Sequence, residues 1–206
     1  LPQAVLDGLT DSGSGVGSDG RLRIVVLGSL ETHKGADLLK AVLEPLANIA
    51  SFVLVGSGSN GDAFASSPHV EVRAHYERED LGALLTEARP DIGLLLSIVP
   101  ETFSYTLSEL HAAGIPVAAT ALGAFADRIQ EGENGWLYSP DPESLLALLH
   151  RLALSPREIA NVKANLVATE PRTALDMVAD YNRLLPAAAG YLPRPKEGVS
   201  GYGGAR

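Results

Sequence analysis

The sequence predicts an α/β protein built on a doubly wound parallel sheet of about six strands. Short runs of Val, Ile, Leu and Ala alternate with stretches whose apolar residues recur at helical spacing. The short runs are apolar almost throughout, as strands buried on both faces are. Gly28, Gly56 and Gly114 stand where elements should stop.

The predicted elements follow in order. Residues 22–27 form a β-branched strand that ends at Gly28. Residues 36–47 form a helix with Leu38, Leu39, Val42, Leu43 and Leu46 on one face. Strands at 52–55 and 70–74 come next, then a helix at 81–88 introduced by Arg78-Glu79-Asp80. A continuous apolar strand at 92–96 leads to a helix at 103–113. A strand at 117–119 and a helix at 124–130 follow. Asn134-Gly135 marks a turn before a strand at 136–138, and Ser139-Pro140-Asp141-Pro142 opens a helix at 143–152. Further helices are expected at 156–167 and 173–185.

These elements make one domain at 21–185. Residues 1–20 have the Ser/Gly/Asp composition of a linker, and residues 186–206 that of an irregular tail. The chain opens on Leu1 and reads as a piece of something longer. In a parallel sheet ligands bind beyond the carboxyl ends of the strands, so the loops after Leu27, Val55, Ala74, Leu96 and Ala119 should share the functional edge.

Composition removes several classes. The net charge of −9 argues against a broad nucleic-acid surface, though not against a local anion site. With no cysteine, disulfides, thiolate metal sites and cysteine nucleophiles are excluded. No apolar run approaches the roughly 18 residues of a membrane span. No His/Asp/Glu grouping has metal-ligand spacing, so no metal or other cofactor is expected.

Gly56-Ser57-Gly58-Ser59-Asn60-Gly61 follows a strand and matches G-x-G-x-x-G, the dinucleotide-binding pattern. Only residues 62–67 separate it from Pro68 and the next strand, room for about one helical turn where a crossover helix takes ten residues or more. It reads instead as a flexible loop bordering the ligand cleft.

The informative segment runs from Pro100 to Val117. Glu101 and Glu109 are separated by seven residues across a helix with a Gly114-Ile115-Pro116-Val117 exit. This resembles the E-x7-E signature and A-x-G-x-P-V segment of the retaining group 1 glycosyltransferases. Gly28-Ser29-Leu30 with His33-Lys34-Gly35 resembles that family's glycine loop and Lys-Gly turn. Val53 to Gly58 resembles its strand and G-x-G loop, and Asn134-Gly135-Trp136-Leu137 its N-G-hydrophobic segment. The matches keep the family's order from about residue 21 to 155.

The resemblance implies the C-terminal, Rossmann-like half of a GT-B fold, binding a nucleoside diphosphate sugar. It implies catalytic roles for Glu101 and Lys34. Donor contacts are expected from Gly28, Ser29, Lys34, Gly56, His75, Tyr76, Glu101, Thr102, Phe103, Ser104, Tyr105 and Glu109. Glu109 would hold the ribose, Glu101 the sugar, and Lys34 with the 103–105 amides the diphosphate. The other partners implied are an N-terminal acceptor-binding domain absent from this chain and a glycan or lipid acceptor. The setting implied is cytoplasmic polysaccharide biosynthesis, with peripheral association at the membrane's cytoplasmic face allowed. This chain alone is expected to be inactive.

A helix beginning near Phe103 would present free N–H groups and about half a positive charge to such a diphosphate. Plainer readings stand beside each role. Glu101 could simply favour a helix N-terminus, and Glu109 a solvated helix face. Lys34 could be a surface turn residue, Thr102 and Ser104 helix caps, and Tyr76 a loop aromatic.

The sequence also departs from the family. Ser29 stands where an Arg is frequent, Thr102 and Ser104 replace the glycines around Phe103, and the later acid is Asp127. A binding module without catalysis, or a nicotinamide-dependent oxidoreductase using the Gly56 loop, are the rival readings.

Overall fold

The computed structural model describes residues 20–168. The predicted helix at 173–185, the 186–206 tail and all but the last residue of the 1–20 linker lie outside the described residues. Six strands form one sheet: β1 (Leu22–Leu27), β2 (Ala50–Val55), β3 (Val70–Arg73), β4 (Ile92–Leu95), β5 (Val117–Thr120) and β6 (Gly135–Tyr138). Every pairing is parallel, in the order β3-β2-β1-β4-β5-β6.

The helices are α1 (Ala36–Leu46), α2 (Leu81–Ala88), α3 (Tyr105–Ala112), α4 (Gly123–Arg128), α5 (Pro142–Leu154) and α6 (Pro156–Ala168). Alternation along β1 sorts them into two layers. Leu22, Ile24 and Val26 point into a core with α1, α5 and α6, whereas Val25 and Leu27 point into one with α2, α3 and α4. Strands β4 and β5 are buried along their whole length because both faces are covered, whereas the edge strand β3 alternates, with Glu71 and Arg73 exposed.

Punctuation set the boundaries. Asp141 caps α5 by accepting from the Ser144 amide at 2.8 Å, with Pro142 in the first turn where its missing N–H costs nothing. The predicted start of α5 at 143 moves by that one residue. The larger change is α3, expected from 103 and beginning at Tyr105.

Chain order turns around β1. The chain goes outward through β2 and β3, then returns to lay β4 on the other side of β1. The loops leaving β1 and β4 therefore diverge to opposite faces, and a crevice opens between them at the carboxyl edge.

Candidate functional site

That crevice holds a cavity of about 150 Å³ whose polar lining includes Gly28, Ser29, Lys34, Ser97, Glu101 and Thr106. Lys34 closes a single 3₁₀ turn, Thr32–Lys34. Gly35 follows in the left-handed region, φ +84°, where a Cβ would stand 2.2 Å from the Leu96 carbonyl oxygen. Only glycine fits so close to the exit of β4. The Ile98 amide donates to the His33 carbonyl at 3.0 Å, tying the two loops together.

Glu101 is fixed from the far side. Its carbonyl accepts from the Ala124 amide at 2.8 Å. Gly123, at φ +49°, leaves the space that a Cβ would fill at 2.5 Å from that same oxygen. Below it, Thr120 Oγ1 donates to the Ser97 carbonyl at 2.6 Å. The side chains meet across the crevice: Lys34 Nζ donates to Glu101 Oε1 at 2.6 Å, with 35% and 16% of the two side chains exposed.

The start of α3 corrects one expectation. Ser104 is extended and buried, and its hydroxyl accepts from the Leu107 amide at 3.2 Å while meeting Thr106 Oγ1 at 2.9 Å. The extended backbone keeps Phe103 and Ser104 out of the helix. The first-turn amides without an intrahelical acceptor are thus those of Tyr105 and Thr106, not the 103–105 set. Ser104 serves as the helix cap, its hydroxyl already engaged there. Glu109 consequently sits about one turn into the helix.

Arg128 braces this junction. Its Nη1 donates to the Ser104 carbonyl at 3.0 Å and its Nη2 to Ser108 Oγ at 2.8 Å. The guanidinium lies 4.8 Å from the centre of the Phe103 ring, a cation–π contact. Phe103 meets Tyr105 edge-on at 5.0 Å, and both rings stand largely in solvent on the rim. No sequence motif marked Arg128, because its partners lie 20 and 24 residues away.

A second cluster lies toward β2 and β3. The Tyr76 ring packs on Gly56, where a Cβ would approach Tyr76 Cε1 to 2.6 Å. Burial pushes the Tyr76 hydroxyl pKa up, and the negative charge of Glu109 adds to the rise. Glu109 pairs with the exposed Arg78 at 3.3 Å.

The predicted residues therefore divide. Gly28, Ser29, Lys34 and Glu101 meet in the cavity, and Gly56, Tyr76 and Glu109 gather beside it. Thr102, Phe103 and Tyr105 are exposed on the rim, and His75 is exposed in the loop after β3. After Gly56 the chain makes 3₁₀ turns over Gly58–Phe64 and no crossover helix, so this loop lacks the helix N-terminus that a dinucleotide loop needs. Among the described residues no group of three His, Cys, Asp or Glu could hold a metal, and no helix is long and apolar enough to cross a membrane.

Residues 21–154 match the family described as glycosyl transferases group 1. This chain belongs to that family. No curated protein matches the chain.

Solved structures share the fold of this group 1 glycosyl transferase chain. Anabaena HepE (Alr3699) in complex with UDP and glucose is 18% identical, with a TM-score of 0.63 over 90% of this chain and 53% of its own. The catalytic domain of Arabidopsis thaliana starch synthase IV, bound to ADP and acarbose, is 17% identical, with a TM-score of 0.64 over 88% and 42%. The C-terminal domain of a Francisella tularensis group 1 glycosyl transferase is 17% identical, with a TM-score of 0.58 over 80% and 91%. The chain thus spans about half the length of the first two.

Proposed function

We propose that this chain is the C-terminal, donor-binding half of a two-domain retaining glycosyltransferase, and that the crevice between β1 and β4 takes the diphosphate of a nucleoside diphosphate sugar. The observation that carries this reading is the convergence there of Lys34, Glu101 and the amino end of α3. Two structural neighbours solved with UDP or ADP support it.

In this scheme the Tyr105 and Thr106 amides and the Lys34 ammonium face the diphosphate. As the bond from the sugar's anomeric carbon to the diphosphate oxygen breaks, negative charge grows on the leaving group. Fixed dipoles and a nearby cation stabilise that charge more in the transition state than in the bound donor. The scheme needs no metal. Glu101 orients the donor sugar, Glu109 accepts from the ribose hydroxyls, and Tyr76 borders the base.

A second domain would supply the other wall of the cleft and hold a glycan or lipid acceptor, in the cytoplasm or at the membrane's cytoplasmic face. The chain by itself should bind donor without transferring sugar. Calorimetric titration with UDP, ADP, GDP and dTDP tests the reading: saturable binding of at least one supports it, and none at millimolar concentration overturns it.

A further inference from the structure

The cation of the cleft already has a partner. Lys34 Nζ sits 2.6 Å from Glu101 Oε1, and both side chains are mostly withdrawn from water. A ligand anion that takes Lys34 must take it from Glu101.

The backbones that carry the pair have little room to move aside. The Lys34 turn is pinned by the bond from Ile98 to His33 and by Gly35, which lies so close to Leu96 that no side chain would fit between them. Glu101 is pinned by Ala124 and by the contact at Gly123. The exchange is left to side-chain rotation. A carboxylate displaced by a few ångströms stays beside the incoming anion, where like charges repel.

We infer that Glu101 is a built-in competitor for the anion site, and that it makes the cleft selective for diphosphates that carry hydroxyl donors. The inference rests on the reading of the crevice as a diphosphate site. A sugar esterified to the diphosphate brings O–H groups that Glu101 accepts in exchange for the lost ammonium. Inorganic phosphate, pyrophosphate and a nucleoside diphosphate without its sugar bring no sugar hydroxyl at that end. Once the sugar has left, Glu101 has no further partner on the ligand and recaptures Lys34, which favours release of the diphosphate product.

The test uses inorganic pyrophosphate, which needs neither base nor sugar, with binding read by phosphorus NMR. Four proteins are compared: the unaltered chain, Glu101→Gln, Lys34→Gln and the double variant. Removing the competing charge while keeping the side chain's shape should tighten pyrophosphate binding about tenfold in Glu101→Gln. Lys34→Gln should lose binding, and the double variant should not regain it. If the amide variant does not fold, Glu101→Ala takes its place with the same expected direction.

Equal affinity of the unaltered chain and Glu101→Gln, with binding still lost in Lys34→Gln, would overturn the competition and leave the diphosphate reading standing. Affinity independent of Lys34 in every protein would overturn both.

Discussion

Two glycine loops leave neighbouring strands at the same height of the sheet. Gly28-Ser29 follows β1, and Gly56-Ser57-Gly58 follows β2, with Leu27 opposite Val55 in register. By motif the second is the richer, since it completes a G-x-G-x-x-G. The cavity lies at the first. What decides is position: β1 borders the point where the strand order turns, so its loop and the loop of β4 open a crevice between them, while β2 sits one strand away. The two loops are also built differently. The chain after Gly28 is wedged at Gly35 against the exit of β4, whereas the second loop packs on Tyr76 at Gly56 and opens at Gly58, where a Cβ would meet nothing within 4 Å.

Exchanging glycine for alanine at one left-handed position in each connection is the strongest way to break that contrast. Gly35→Ala meets both an unfavourable φ and a backbone oxygen, so it should cost about 3 kcal/mol or more. Gly58→Ala meets only the φ and should cost about 1 kcal/mol. Urea denaturation of the two variants measures both values, and similar losses would contradict a packed turn at Gly35 and an open one at Gly58.

The helix beneath the first loop has a pH signature. Burial, then the charge of Arg128, pulls the His111 pKa down from 6.5 to about 4, and its buried Nε2 has no partner. The folded state thus holds a neutral imidazole that the unfolded chain protonates below pH 6.5. Stability from this group is complete above that value and falls as pH drops toward 4, by about 3 kcal/mol at most. His111→Leu should flatten the pH dependence of the melting temperature across that window. An unchanged profile would remove His111 from the account.

Binding variants sharpen the contrast further. Lys34→Met should weaken nucleoside diphosphate binding by about 2 kcal/mol, roughly thirtyfold, the loss expected for a hydrogen bond to a charged group. Glu109→Ala, whose carboxylate is assigned to the ribose, should weaken it by about 1–2 kcal/mol. Calorimetry separates the two, and a larger effect at Glu109 would shift the weight of the site toward β2 and β3.

The sequence carried the architecture through its periodicity. Uniformly apolar runs of four to six residues are what doubly covered strands require, and the helix at Leu81–Ala88 falls where its apolar spacing placed it. Strand order was not legible, because parallel strands carry no local mark of their neighbours. Lys34 and Glu101 were legible as members of one site. Their direct pairing was not, since it joins side chains 67 residues apart. The start of α3 shifted because Ser104 in an extended conformation caps the helix, and bonds made by Thr106, Ser108 and Arg128 side chains hold that junction.

Amide chemical-shift mapping of the chain during titration with UDP or ADP tests the central claim most directly, because it reports which loop answers. The account predicts the largest shifts at Gly28, Ser29, Tyr105 and Thr106, with small ones from Ser59 to Gly61. The largest shifts at residues 56–61, with the Gly28 and Tyr105 amides unmoved, would contradict it.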